Sequence, residues 1–312
     1  MDYNSSSEEL VMIERDAKSL RLKTAILQVF VWFFFYTDIF MLSTFFCRQA
    51  FRSDTRYILF ANTLLIDSIL LFLTGLVILF NVFYVLLPVG HCIVLCFLMG
   101  FSIKNTPYTI TAMCLERYVA ICMPLRHASI STTGRAIAAI IIIWAFSSVK
   151  VIIDLVIVNV TAPPGYFAMP TSCVYQIILV TEWHQLMHFI SIQMEFCIIV
   201  LIIVFCYTKL MLAAQAASGE NKQSASKGRR TLLLHAVQLF LCTADLWCPF
   251  ILDAATKQSK HLYLPIRYFN FIFFTIFSRA LSPLIYGLRD KRFNLALKYY
   301  MSCKSKPLSR EI

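Results

Sequence analysis

Seven apolar runs divide the chain, at residues 24–47, 57–82, 92–122, 136–158, 185–212, 231–252 and 262–288. Each reaches or exceeds the roughly 20 residues that an α-helix needs to cross a bilayer's hydrocarbon core. A membrane β-strand needs only about 10 residues and alternates inward and outward side chains; these runs do not alternate. Backbone polar groups in lipid must be satisfied within their own segment, so the runs read as helices. A soluble chain has no place to hide them. Hydrophobic residues make up 59% and charged residues 14% of the chain, and mean hydropathy is +0.71. Soluble domains average roughly 45–50% and 25% for the two classes. The expected fold class is an all-α membrane protein, a seven-transmembrane helix bundle.

The intervening segments organise the rest. Residues 1–23 are expected as an extracellular N-terminus, 24–288 as the bundle, and 289–312 as a short amphipathic cytoplasmic helix and tail. Residues 1–22 are polar, with five acids and three bases and no apolar core. No cleavable signal peptide is expected, and span 1 acts as the first insertion signal. With the N-terminus outside, eighteen Lys and Arg fall in cytoplasmic segments and seven in outer ones. The positive-inside bias therefore favours N-out and C-in. The sequons at Asn4 and Asn159 fall on the outer side in this topology and are expected to be glycosylated. The net charge of +11 is carried mainly by residues flanking the runs, which points to lipid headgroups and not to nucleic acid.

Of eleven cysteines, most lie inside spans, where a thiol behaves as a small apolar group. Cys92 opens span 3 and Cys173 lies in the loop between spans 4 and 5. Both face the oxidising side, where a disulfide or two free thiols are compatible with their positions. His184 and His188 are one helical turn apart. They read as a wet interfacial pair, with a metal pair as the alternative. His91 and His261 also lie near the outer face.

Residues 113–127 read MCLERYVAICMPLRH. Glu116-Arg117-Tyr118 falls at the inner end of span 3 and resembles the [DE]RY motif of rhodopsin-like G-protein-coupled receptors. The longer ERYVAIC-x-PLRH string is similar to odorant receptors of the fish-type branch. RYILFANTLLIDS (56–68), KGRRTLLLHAVQL (227–239) and LSPLIYGLRDKRF (281–293) extend the resemblance to spans 2, 6 and 7. It implies a small-molecule odorant as ligand and a heterotrimeric G protein of the stimulatory olfactory kind as partner, at the plasma membrane. It implies a Cys92–Cys173 disulfide. It also implies coupling and activation roles for Glu116, Arg117, Tyr118, Tyr207, Pro283 and Tyr286. Glu116 would hold Arg117 at rest, and Pro283 would interrupt the ladder of span 7 as a bending point. Residues 288–300 mix leucines and Phe293 with four bases, as an interfacial helix does, and Cys303 is a palmitoylation candidate.

Three positions depart from the family pattern. Asp38 stands where Asn is usual, Ser282 precedes Pro283, and Leu246-Trp247-Cys248-Pro249 matches the span 6 motif only loosely.

Ionisable residues inside a membrane are functional candidates. Counted from the cytoplasmic ends at 1.5 Å per residue, Lys104, Glu195, Asp245 and Lys150 sit at about 20, 18, 21 and 22 Å. Lys104, Glu195 and Asp245 of this layer, with Met99, Gly100 and Ile103, form the expected ligand pocket, and Lys104–Glu195 is an expected pair. A lower layer at about 15 Å holds Asp38, Asp67 and Arg279, expected as one arginine facing two carboxylates. The family often places a sodium ion near Asp67; the internal salt bridge is the preferred reading, and no other cofactor is expected. No catalytic constellation appears, so the chain is not expected to be an enzyme. A non-olfactory chemosensory receptor is the alternative. A channel or transporter is remote, because the charges cluster without forming a stripe and the halves do not repeat.

Overall fold

The computed structural model describes residues 3–216, 268–283 and 291–301, with residues 233, 234, 236–238, 240, 241, 244, 247, 251 and 266. For residues 3–20, 214–216, 282 and 291 it describes the backbone alone. Most of the expected sixth span lies outside the described residues, as do Asp245, Tyr286, Cys303 and the 246–249 motif apart from Trp247.

The fold is an all-α membrane architecture. Helix α1 runs Tyr3–Phe46. It starts well before the apolar run because the first 46 residues contain neither Gly nor Pro, so nothing breaks the ladder. After the short α2, Gln49–Arg52, α3 spans Thr55–Val82, started by Asp54, whose carboxylate accepts from the Arg56 N–H at 3.0 Å. Helix α4 is Val89–Cys122, and α5, Pro124–Ile130, begins on a proline that needs no hydrogen-bond partner there. Helix α6, Thr133–Thr161, is capped by Thr132, and α7 is Glu182–Ala216. A π-helical turn, Phe271–Ile276, leads into α8, Phe277–Pro283, and α9 is Lys291–Met301. Among the described residues five stretches are long and apolar enough to cross a membrane: Arg21–Phe46, Thr55–Val82, Val89–Cys122, Thr133–Thr161 and Glu182–Ala213.

Helix α4 is central: it packs against α3, α6 and α7, while α1 packs on the other side of α3. Lipid supplies no hydrophobic drive between helices, so small and polar residues set the contacts. Asn62 on α3 donates to Asn105 Oδ1 at 3.1 Å and Thr109 Oγ1 at 2.9 Å on α4. Trp144 on α6 donates to Asn62 Oδ1 at 2.9 Å. One asparagine thus ties three helices. At the inner end, Phe293 of α9 is fully buried against Phe51, Tyr57 and Phe60, with ring centroids 5.3, 6.1 and 5.5 Å away.

At the outer end a two-residue ladder pairs Leu87–Pro88 with Pro170–Thr171, antiparallel. It draws the α6–α7 loop across the top of α4. Cys92 and Cys173 are joined in a disulfide with a Cα–Cα distance of 5.0 Å.

Candidate ligand and coupling sites

Among the described residues two polar assemblies occupy the half of the bundle nearer the disulfide. In the first, Lys104 on α4 donates to Glu195 on α7, at 2.6 Å to Oε2 and 2.8 Å to Oε1. The lysine side chain is 5% exposed and the glutamate 24%. Tyr108, one turn further along α4, is half-buried beside Glu195. Met99 and Ile103 are half-buried on the same helix.

The second assembly centres on Asp154 of α6, a fully buried residue that the sequence analysis did not single out. Lys150, one turn earlier, donates to Oδ1. His184 Nε2 lies 2.9 Å from Oδ1, His188 Nδ1 3.3 Å from Oδ2, and the Tyr175 hydroxyl donates to Oδ2 at 2.8 Å. One carboxylate thus joins α6, α7 and the loop. Burial first, and then the Asp154 carboxylate, hold the Tyr175 phenol above its ordinary range, so it remains a donor. Lys150 shares the depth of Lys104 and pairs with Asp154. One expectation is corrected here: the histidines are not wet, since His184 is 0% and His188 8% exposed. A Lys four residues before an Asp in an apolar run, with two histidines a turn apart on the next helix, was the available signal.

The loop reaches further in than its length suggests. Ile178 is fully buried beside Cys96 and Val158, and Tyr166 donates to the Ile177 carbonyl at 2.6 Å. A Cβ on Gly100 would lie 3.1 Å from the Tyr175 ring and 3.6 Å from Val151. The space above Gly100 is therefore filled by the loop and by Val151. A cavity of about 300 Å³ opens at the rim, lined by Phe80, Asn81, Tyr84, Val85, Leu86 and Ser172; none of the expected pocket residues lines it.

In the lower layer, Asp67 accepts from Thr106 Oγ1 at 3.1 Å and faces Arg279 Nε at 3.9 Å; both charged residues are buried. The Asp38 oxygens are buried without a hydrogen-bond partner. The expected arrangement of one arginine on two carboxylates is therefore corrected to a single pair, because Asp38 matches Arg279 in depth but not in contact. Asp67 already faces a guanidinium, which competes with a cation there.

At the inner end of α4, Glu116 faces Arg117 Nε at 3.5 Å and His127 Nε2 of α5 at 3.5 Å. The Tyr118 ring packs on Phe205 of α7, centroids 5.5 Å apart. Tyr207 is more than a third exposed, and Pro283 is buried at the end of α8. Asn159 is exposed near the outer end of α6.

The family described as 7 transmembrane receptor (rhodopsin family) matches residues 37–286. Odorant receptor 131-2 of Danio rerio is 39% identical over 300 residues, 96% of this chain and 92% of that protein. More distant relatives are the thyrotropin-releasing hormone receptor of Ovis aries, 21% identical over 251 residues, 70% of this chain and 62% of the relative. The melatonin receptor type 1B of Rattus norvegicus is 23% identical over 221 residues, 68% of this chain and 58% of the relative. The chain belongs to the rhodopsin-like family of seven-transmembrane receptors, in its fish-type odorant-receptor branch, a family of signal receptors and not of enzymes.

Proposed function

We propose that this chain is an odorant receptor of the plasma membrane that binds a small molecule within its bundle and activates a heterotrimeric G protein of the stimulatory olfactory kind. The chain crosses the membrane seven times, N-terminus outside and C-terminus inside, with α9 lying on the cytoplasmic leaflet. Asn4 and Asn159 carry glycans. The ligand sits beside Lys104 and Glu195, with Met99 and Ile103 around it and Gly100 below the loop; Asp245, outside the described residues, is the remaining candidate contact. A ligand that favours one arrangement of α4, α7 and span 6 shifts the population toward it, and Arg117 presents that shift to the G protein.

The observation that carries the reading is the layout of α4. It holds a buried ion-paired lysine in its outer half and a carboxylate-held arginine at its inner end, on one continuous helix. One element therefore reaches both the ligand layer and the coupling face.

Arg117→Ala tests it. Cells reporting cyclic nucleotide production, exposed to an odorant panel, are expected to lose signalling with this variant while surface expression and ligand binding persist. Unimpaired signalling at equal surface level removes Arg117 from the mechanism.

A further inference from the structure

Every charge that the described helices bring to the outer layer is already answered within the chain. Lys104 is matched by Glu195, and Lys150 by Asp154. Asp154 is fully buried and its oxygens are taken by Lys150, His184, His188 and Tyr175. A charged ligand would have to separate one of these largely buried pairs. Leaving one member of a buried pair alone is strongly unfavourable, so ions are disfavoured by about a hundredfold or more.

The two members of the accessible pair are not equally open. Lys104 is 5% exposed and Glu195 24%. On α7 the buried positions His188, Ile192, Ile199 and Ile203 mark the inward face, and Met194 and Ile198 the lipid face. Glu195 lies on the inward side of that division, so its open edge faces the bundle interior. An ionised carboxylate only accepts hydrogen bonds and has about four lone-pair sites. Lys104 reaches both oxygens. The exposed edge keeps acceptor capacity and offers no donor. Tyr175 and Val151 close the space over Gly100.

Resting on the receptor reading above, we infer that the ligand is an uncharged molecule that donates a hydrogen bond to Glu195, an alcohol or phenol in chemical class.

The test is a set of matched compounds, each carbon skeleton (linear, branched, aromatic) supplied as alcohol, methyl ether, carboxylic acid and primary amine. They are applied to cells expressing the full chain with a cyclic nucleotide reporter. Alcohols are expected to activate at about tenfold lower concentration than their methyl ethers, the value of one hydrogen bond to a charged acceptor, with acids and amines weaker still. The Lys104→Met/Glu195→Gln double variant, in which no charge is stranded, is expected to reach the surface and lose the preference for alcohol over ether. Equal potency of alcohol and ether in the unmodified receptor overturns the inference. So do acids acting at lower concentration than alcohols. Amines acting best, and losing that advantage in Asp245→Asn, also overturn it by assigning the ligand to another carboxylate. If no compound activates, Glu116→Gln separates the two levels. Raised basal signalling in that variant keeps the receptor reading and rejects the ligand class. Silence at normal surface level rejects the receptor reading, and the inference with it.

Discussion

Lys104 and Glu195 each depend on the other. Removing one partner of a buried pair costs about 3–5 kcal/mol, because the remaining charge is stranded, whereas removing both strands nothing. Lys104→Met and Glu195→Gln are each expected to lower surface expression and thermal resistance in detergent, and the double variant to recover both. A double loss equal to the sum of the single losses means that the two do not interact. This pair was legible in the sequence because helical rise is fixed: counting residues from the cytoplasmic ends set both at one depth. Rotation about the helix axis is not fixed by counting. Lys150 had the right depth and turned toward Asp154, and Asp38 had the depth of Arg279 without meeting it. Asp154 itself escaped notice because three of its four partners come from two other segments, Tyr175 on the loop and the histidines of α7.

Among the elements, the loop between α6 and α7 is held twice, by the Cys92–Cys173 bridge and by Tyr175 on Asp154. Cys92→Ser and Cys173→Ser are expected each to abolish ligand response, with the double variant no worse than either; additive losses would mean two independent thiols. Helix α9 is fastened by Phe293 and Ala296, both fully buried in the core, with Leu297 packed against it. Phe293→Ala empties the space between Phe51, Tyr57 and Phe60. The expected cost is about 3–5 kcal/mol, measured as a lower melting temperature of the solubilised receptor; an unchanged melting temperature would show that α9 does not brace the bundle. The five long apolar helices were readable from run length alone, each within a few residues of its end. Less readable was the start of α1, since a polar stretch free of Gly and Pro extends a helix without altering hydropathy. The π-helical turn at Phe271–Ile276 was invisible for a similar reason: one extra residue per turn leaves the apolar composition unchanged.

At the scale of the whole molecule, orientation is the claim open to the plainest measurement. Enzymatic deglycosylation is expected to remove two mobility steps, lost one at a time in Asn4→Gln and Asn159→Gln. An N-terminal tag is expected to be labelled on intact cells. A tag reached only after permeabilisation reverses the topology. The bundle within that membrane is unevenly fastened. Helix α6 buries a single ridge, Ala136, Ile143, Ser147, Val151, Asp154 and Val158, and leaves most of its apolar surface exposed. Beyond its first turn, where Thr133 and Arg135 bond the Ser53 and Ser129 carbonyls, its hydrogen bonds to other elements come from Trp144 on Asn62 and from Asp154 on α7 and the loop. These two rivets lie about 15 Å apart along the axis, counted at 1.5 Å per residue. Sliding α6 by one turn, about 5.4 Å, would pull both beyond hydrogen-bonding reach at once. Lipid would return nothing for that loss. Helix α6 therefore serves as a stator: when the receptor changes state, displacement has to be taken up by its moving neighbours.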